Sequence, residues 1–456
     1  MQSFDLIVIG AGSGLNISSA AAENGLKVAI VEKGPMGGTC LNRGCIPSKI
    51  IIHSADVIET INKAKIFGID AKISSINFRK IISRSISIVD KSAKDIESAI
   101  IEDKNTTLFK TKGVFIAKKS IKVGNETIGG EKIIIAAGSR PSIPPIEGLI
   151  DSGFITSDDA LRLKKQPGTL TILGGGYVAT ELAHFFGSMG TKIKIIESQK
   201  YLVPNEDFEV SLKLTEAFGK KYRLFTEHYA KRVLKKNGKF VVEAQSKNKD
   251  GKRELVISDA LLVATGRVPN SDILDVKKTN VQTDEKGFIR VNDYLETTEE
   301  NIWAFGDIIG RFLFKHSANL ESECVFQNAL GSKRMKVDYT AMPHAIFTWP
   351  QIAAVGLTQQ ELENRKIDYA VGKYKFIDSA MGTAINDEDG FVKIFADRNS
   401  RKILGCHIIG TDAPSIIHEV LVAMRSGLNT DAIEKTVHIH PALSEVVQRA
   451  VNNIRW

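Results

Sequence analysis

Residues 5–32 read DLIVIGAGSGLNISSAAAENGLKVAIVE, and the fold follows from this stretch. Asp5 to Ile9 is a short apolar run of the kind that forms a buried strand. Gly10, Gly12 and Gly14 punctuate the turn after it, and small residues between Ser18 and Glu23 suit a helix lying close on a sheet. A second apolar run, Val28 to Val31, ends at Glu32. Together these make a βαβ unit. Its glycines let the backbone approach a pyrophosphate at the helix N-terminus, and the acid takes a ribose 2′-hydroxyl. A glycine triplet alone is weak evidence; an acid about 20 residues later, at a strand end, makes it strong. Leu15 stands where the third glycine of the fingerprint belongs. That position serves helix–strand packing, so looser packing with retained binding is expected.

The same pattern returns farther along. Thr169 to Leu173 is apolar, Gly174–Gly175–Gly176–Tyr177–Val178–Ala179 follows, and Glu181 lies in the helix behind. Ala179 in place of the third glycine is an allowed variant. The next strand, Lys192 to Ile196, ends at Glu197. An acid there bonds a free 2′-hydroxyl and repels a 2′-phosphate. Ser198 and Gln199 bring no arginine pair, so NAD(H) is favoured over NADP(H). Two nucleotide folds imply two nucleotides.

Between them, residues 37–49 read GGTCLNRGCIPSK. In a regular helix the offset from Cys40 to Cys45 puts their Cα atoms more than ~7 Å apart, too far for a disulfide. The pair can close only if the segment departs from helix. Gly37, Gly38 and Gly44 supply that freedom, and Pro47 fits a helix beginning just after Cys45. A thiolate near such a helix start is favoured by the backbone dipole. A structural bridge and two unpaired core thiols remain open readings. The short spacing and the glycine flanks favour a redox-active pair.

Bulk properties narrow the function class. A chain of 456 residues, 43% hydrophobic, can bury a large core and suggests about three domains. No apolar run reaches ~18 residues, so no membrane span is expected. The N-terminus enters a strand at once, leaving no room for a signal peptide. Four cysteines do not make a secreted disulfide scaffold, and a cytoplasmic location is expected. The net charge of +8 is scattered; its densest run, Lys231 to Lys236, has no interleaved aromatics and reads as a solvated face, not a nucleic-acid site. No metal site is expected.

The cysteine stretch, the two glycine turns and the motifs below resemble the FAD-dependent pyridine nucleotide–disulfide oxidoreductases. Leu41 to Lys49 are most similar to dihydrolipoamide dehydrogenases. The similarity runs from Asp5 to about Ala450. It implies an α/β architecture: two Rossmann-like nucleotide-binding domains, for FAD and NAD, plus a C-terminal α+β dimerisation domain. The segments are residues 1–147 and 273–338 for FAD, 148–272 for NAD and 339–456 for the homodimer interface.

For FAD, the resemblance implies contacts from Gly10, Gly12, Gly14, Glu32, Lys33, Gly38, Thr39 and Lys49. It adds Phe115 through its backbone, the turn Ala137–Gly138–Ser139, Asp307 after Gly306, and the segment Leu313–Phe314–Lys315–His316. Phe115 reads equally well as core. For NAD it implies Gly174, Gly176, Tyr177, Val178, Glu181, Glu197 and Gly266, with Tyr177 over the flavin's nicotinamide side, moving when NAD enters. Glu181 matches an acid that pairs with the lysine matching Lys49.

Cys40 matches the interchange thiol, Cys45 the thiolate facing the flavin, and His440 with Glu445 the base that reaches the other subunit's disulfide. An imidazole with a carboxylate on its far nitrogen suits proton transfer near neutrality. The activity implied is NAD-dependent oxidation of dihydrolipoamide to lipoamide, the substrate free or on a lipoyl domain. Mycothione-like disulfides and mercuric ion are alternatives, as is a flavoprotein that mainly binds or senses. Mercuric reductases carry extra C-terminal cysteines, and none follows Cys406 here.

Overall fold

A computed structural model describes residues 1–248 and 251–456. The strand Gln2–Ile9, buried along its second half, pairs in parallel with Val28–Val31 on one side and Glu126–Ile135 on the other. Thr106–Phe109 extends the sheet beyond Val28–Val31, and an antiparallel meander (Gly113–Ala117, Ser120–Val123) flanks Glu126–Ile135. Ile302–Ala304 returns from far along the chain to pair with residues 133–135. The helix Gly14–Glu23 (α1) covers the sheet. The loosening expected at Leu15 does not occur. A Cβ on Gly14 would meet Val8 Cγ1 at 2.8 Å and Ala136 Cβ at 3.2 Å, so Gly14 is the packing glycine and Leu15 lies partly buried on the same core.

The cysteine segment forms the helices Gly38–Arg43 (α2) and Cys45–Lys63 (α3), and Phe78–Glu102 (α4) follows. The side chain of Asn77 starts α4 by accepting the Lys80 N–H, relieving one orphan donor of the first turn.

The second nucleotide fold has four parallel strands in the order Arg223–Phe225, Lys192–Ile196, Thr169–Leu173, Ala260–Val263. A three-stranded antiparallel sheet sits beside it, and Lys231 to Lys236 lie on its edge strand, mostly in solvent. The chain enters and leaves this domain through a neck in which Ser139–Pro141 pairs with Arg267–Pro269.

The third unit is an antiparallel sheet of five strands in the order Pro343–Ile346, Ile352–Gly356, Ile403–Ile409, Phe391–Asp397, Tyr369–Lys375. The strongly amphipathic helix Glu445–Asn452 packs on it through Val446, Val447, Ala450 and Val451. One apolar core joins Ile51, Ile52 and Ala55 of α3 to Ala179 and Ala183 of the second nucleotide fold and to Ile346 and Ile352 of the third unit. The cysteine-bearing helix is therefore a wall shared by all three units. Among the described residues no helix is long and apolar enough to cross a membrane.

Candidate active site

Cys40 lies in α2, Cys45 opens α3, and Gly44 between them leaves the helical region at φ −142°, ψ −118°. That break folds one thiol back onto the other. Both are free thiols. Cys45 is held down at about 7, first by a hydrogen bond from the Cys40 thiol and then by the charge of Lys49, against burial and Glu181. The same bond, followed by burial, pushes Cys40 well above the ordinary thiol range. The proton therefore stays on Cys40 and the negative charge on Cys45, at a helix N-terminus that favours it.

Lys49, one turn on, bridges both oxygens of Glu181 at 2.7 and 2.9 Å. Its ammonium lies 4.5 Å from the centre of the Phe347 ring, and Glu181 accepts the Phe347 N–H at 3.0 Å. The expected pair is thus formed, with the third unit helping to orient it.

Two cradles flank these groups. Gly10, at φ +106°, ends its strand so close to the next that a Cβ would lie 2.3 Å from Ala136 O. A Cβ on Gly38 would lie 2.6 Å from Gly12 Cα, so the first glycine turn touches the cysteine segment directly. Glu32 receives the Ala11 N–H at 3.0 Å and the Gly34 N–H at 2.7 Å, which orients its carboxylate at the mouth of the turn. Lys33 and Thr39 are exposed beside it.

The second cradle repeats the first. A Cβ on Gly174, φ +100°, would lie 2.4 Å from Ala264 O, while around Gly176 and Gly266 nothing approaches within 4 Å. Glu197 receives the Gly175 and Gln199 N–H groups. Val178 is partly exposed on the first turn of the helix Tyr177–Ser188. Close backbone approach on one side and open space on the other fit a pyrophosphate in each cradle.

Asp307 accepts the Ser139 hydroxyl and lies 3.6 Å from the Arg267 guanidinium, beside Ala137 and Gly138. Leu313 is exposed, and Phe314, Lys315 and His316 lead into the helix Lys315–Leu330. The Lys315 amine donates to Ser13 Oγ in the first glycine turn at 2.7 Å, and burial lowers its proton affinity. The Phe115 ring is buried in the core, one of the two readings its sequence position allowed, and its N–H is given to Leu274 O at 2.9 Å.

Glu206 and His344 were not legible beforehand. Glu206 is buried and accepts the Tyr177 hydroxyl at 2.9 Å and His344 Nε2 at 2.8 and 2.9 Å. Its only sequence signal is an acid beside the helix-capping Asp207; His344 is a lone histidine in an apolar strand.

His440 Nδ1 lies 3.0 Å from Glu445 Oε1, with the imidazole 69% exposed and the carboxylate 9% exposed. The hydrogen bond with His440 is the main reason Glu445 stays below the usual carboxylate range. His438, by contrast, is buried against Glu419 at 2.8 Å, a structural arrangement. Cys324 and Cys406 are buried, and burial raises both thiols, so neither is poised to react.

The family model described as pyridine nucleotide-disulphide oxidoreductase matches residues 4–336, and its dimerisation domain matches residues 342–451. The chain belongs to this family. Membership implies FAD and a pyridine nucleotide as cofactors, and the dimerisation domain supports a homodimer. A dihydrolipoyl dehydrogenase of Chlamydia trachomatis is 34% identical, over 98% of this chain and 95% of that one. A mycothione reductase of Mycobacterium tuberculosis is 33% identical over the full length of both. The HOCl-induced flavoprotein disulfide reductase RclA of Escherichia coli, solved as a Cu(II) complex, superposes with a TM-score of 0.89 at 27% identity, covering 99% of each chain. This member of the family is a flavin-dependent disulfide oxidoreductase.

Proposed function

We propose that this oxidoreductase oxidises dihydrolipoamide to lipoamide, passing the two electrons to NAD+ through the Cys40–Cys45 pair. The observation that carries the reading is the division of labour between the thiols: Cys45 is a thiolate near neutrality while Cys40 keeps its proton. A substrate thiolate attacks Cys40 Sγ and breaks the Cys40–Cys45 bond, freeing the Cys45 thiolate. The second substrate sulfur then attacks the sulfur bound to Cys40, so that lipoamide leaves with its new S–S bond and the two electrons rest on the Cys40/Cys45 dithiol. His440 of the partner subunit takes the substrate thiol's proton, its far nitrogen being fixed by Glu445. Lys49 and Glu181, charged and paired, set the field beside Cys45. FAD, held by Gly10, Gly12, Gly14, Glu32, Lys49 and Asp307, supplies the two-electron redox chemistry between the thiols and the pyridine nucleotide. Glu197, its carboxylate held at the turn by the Gly175 and Gln199 N–H groups, supports NAD over NADP.

A second reading, reduction of a low-molecular-weight disulfide, draws support from the full-length likeness to mycothione reductase. Assays of one preparation decide between them: dihydrolipoamide with NAD+, and mycothione, glutathione disulfide and mercuric ion with NADH or NADPH. Dihydrolipoamide-dependent NAD+ reduction is expected, abolished in Cys40→Ser and Cys45→Ser while flavin content is kept. Turnover of mycothione with none of dihydrolipoamide would reverse the order of the two readings. A cytoplasmic site and docking to lipoyl domains go with the first.

A further inference from the structure

Glu321 is fully buried on the helix Lys315–Leu330, and neither the thiol pair nor the two cradles make use of it. Its Oε2 accepts the Gly306 N–H at 2.6 Å, and its Oε1 accepts the Tyr339 hydroxyl at 2.7 Å. Tyr339 is half-buried, packed on Phe312 with the Arg311 guanidinium over its ring. A carboxyl so deep in the protein is costly unless its oxygens are bonded, and here both are. Burial pushes Glu321 up to about 7, and Asp307 adds to the rise, against the two donors and the charge of Arg311. Either protonation state keeps the Gly306 contact. The ionised form accepts both hydrogens; the neutral acid accepts from Gly306 and donates to the Tyr339 oxygen.

The peptide held in this way leads directly into Asp307. Phe305 N–H makes the last bond to the parent sheet, to Ile135 O at 3.2 Å, so Glu321 holds the first peptide beyond it. Gly306 stands at φ +77°, in the left-handed region where a side chain would be strained, and turns the chain into the short helical turn Gly306–Ile309. Gly310 N–H closes that turn on Asp307 O at 3.2 Å, and the Asp307 carboxylate is left facing Ser139 and Arg267. The same helix also reaches the first glycine turn. Lys315 and Asn319 meet Ser13 Oγ at 2.7 and 3.1 Å, and Ser322 accepts from the Asn16 amide at 3.1 Å. One helix thus fastens both of the turns assigned to the flavin.

We propose that Glu321 is a positioning residue for FAD: by holding the Gly306 N–H it fixes the turn from which Asp307 meets the flavin. The proposal rests on reading Asp307 as a flavin ligand. Glu321 acts only through that turn, so its effect on FAD disappears when the Asp307 carboxylate is removed. A role confined to packing would weaken the site whether or not Asp307 is present. It would also be met by any side chain of similar size, whereas a hydrogen-bond role is met only by another acceptor.

The test follows FAD leaving the loaded dimer on dilution, by the recovery of free-flavin fluorescence, independently of turnover. Glu321→Gln keeps an acceptor for Gly306 and a donor for Tyr339, and should hold FAD within about twofold of wild type, whereas Glu321→Met fills the same space without an acceptor and should hold it about tenfold more weakly. In an Asp307→Ala background, Glu321→Met should cost nothing further. Glu321→Met holding FAD as well as Glu321→Gln overturns the proposal, as does a tenfold loss repeated without Asp307. Should Glu321→Met fail to fold, Glu321→Leu, equally without an acceptor, takes its place under the same criteria. Asp307→Ala that holds FAD like wild type would remove the reading of Asp307 together with the proposal. Weakened retention in Asp307→Ala with none in Glu321→Met removes the proposal alone.

Discussion

Cys45 and Cys40 are five residues apart and chemically unlike, and the difference comes from one shared proton. The Cys40 thiol donates into Cys45, Lys49 adds positive charge, and Cys45 falls from 9.0 to about 7. The thiolate population of Cys45 therefore grows as pH rises through about 7 and is lost below it. Cys40→Ala removes the donor and should move the alkylation midpoint of Cys45 back toward 9.0. Cys40→Ser keeps an O–H donor and should leave it low. The check is the pH dependence of iodoacetamide labelling followed with ultraviolet thiolate absorbance; equal midpoints in the two variants would refute the assignment. At this scale Cys40 and Cys45 were legible from their short spacing and glycine flanks, and Lys49, Glu181, His440 and Glu445 from the family resemblance of the segments that carry them. Glu206 and His344 were not, because a buried carboxylate and its imidazole partner are 138 residues apart and carry no local signature.

At the scale of elements, two glycines do work that no other residue allows. Gly44 interrupts what would be one helix through both cysteines, and a Cβ there would lie 2.9 Å from Thr39 O. Gly14 carries the close packing of α1 on its sheet, a role assigned from the fingerprint to position 15. Spacing identified the right turn but misplaced the contact by one residue, since which face of the first helical turn meets Val8 depends on how the helix is tilted. Gly14→Val should overpack this contact and cost about 1–3 kcal/mol, with FAD content falling in proportion. Leu15→Gly, at the position where the motif expects glycine, should instead destabilise by exposing core and should not improve FAD retention. Thermal unfolding and the flavin-to-protein absorbance ratio of purified protein measure both.

Across the whole molecule, the proposed site is assembled from distant parts of one chain, and the proposed mechanism has a second copy complete it. His440 is largely exposed, whereas its partner Glu445 is anchored in the sheet-packed helix, an arrangement suited to presenting the imidazole outward. Cys45→Ser and His440→Ala homodimers should each be nearly inactive. Refolded or co-expressed together, half of the dimers are mixed and each regains one complete site, giving about a quarter of wild-type turnover. No recovery would place His440 in its own subunit's site or outside the chemistry. The units are also fastened within the chain. Lys393 of the third unit pairs with the buried Asp207 and with Glu209 of the NAD fold, and removing the lysine would strand the Asp207 charge at a cost of about 3–5 kcal/mol.

The amino-acid order alone determined the two nucleotide folds, the cysteine segment and the imidazole–carboxylate pair. Each is a short-range pattern in which glycine, charge and apolar residues must stand at set intervals for backbone geometry and hydrogen bonding to work. Only the tertiary structure decided which glycine packs, where the Phe115 donor goes, and that the buried Glu206 is bonded by both Tyr177 and His344. Those outcomes depend on how separate elements meet, and contacts between residues far apart in the chain leave no periodicity behind.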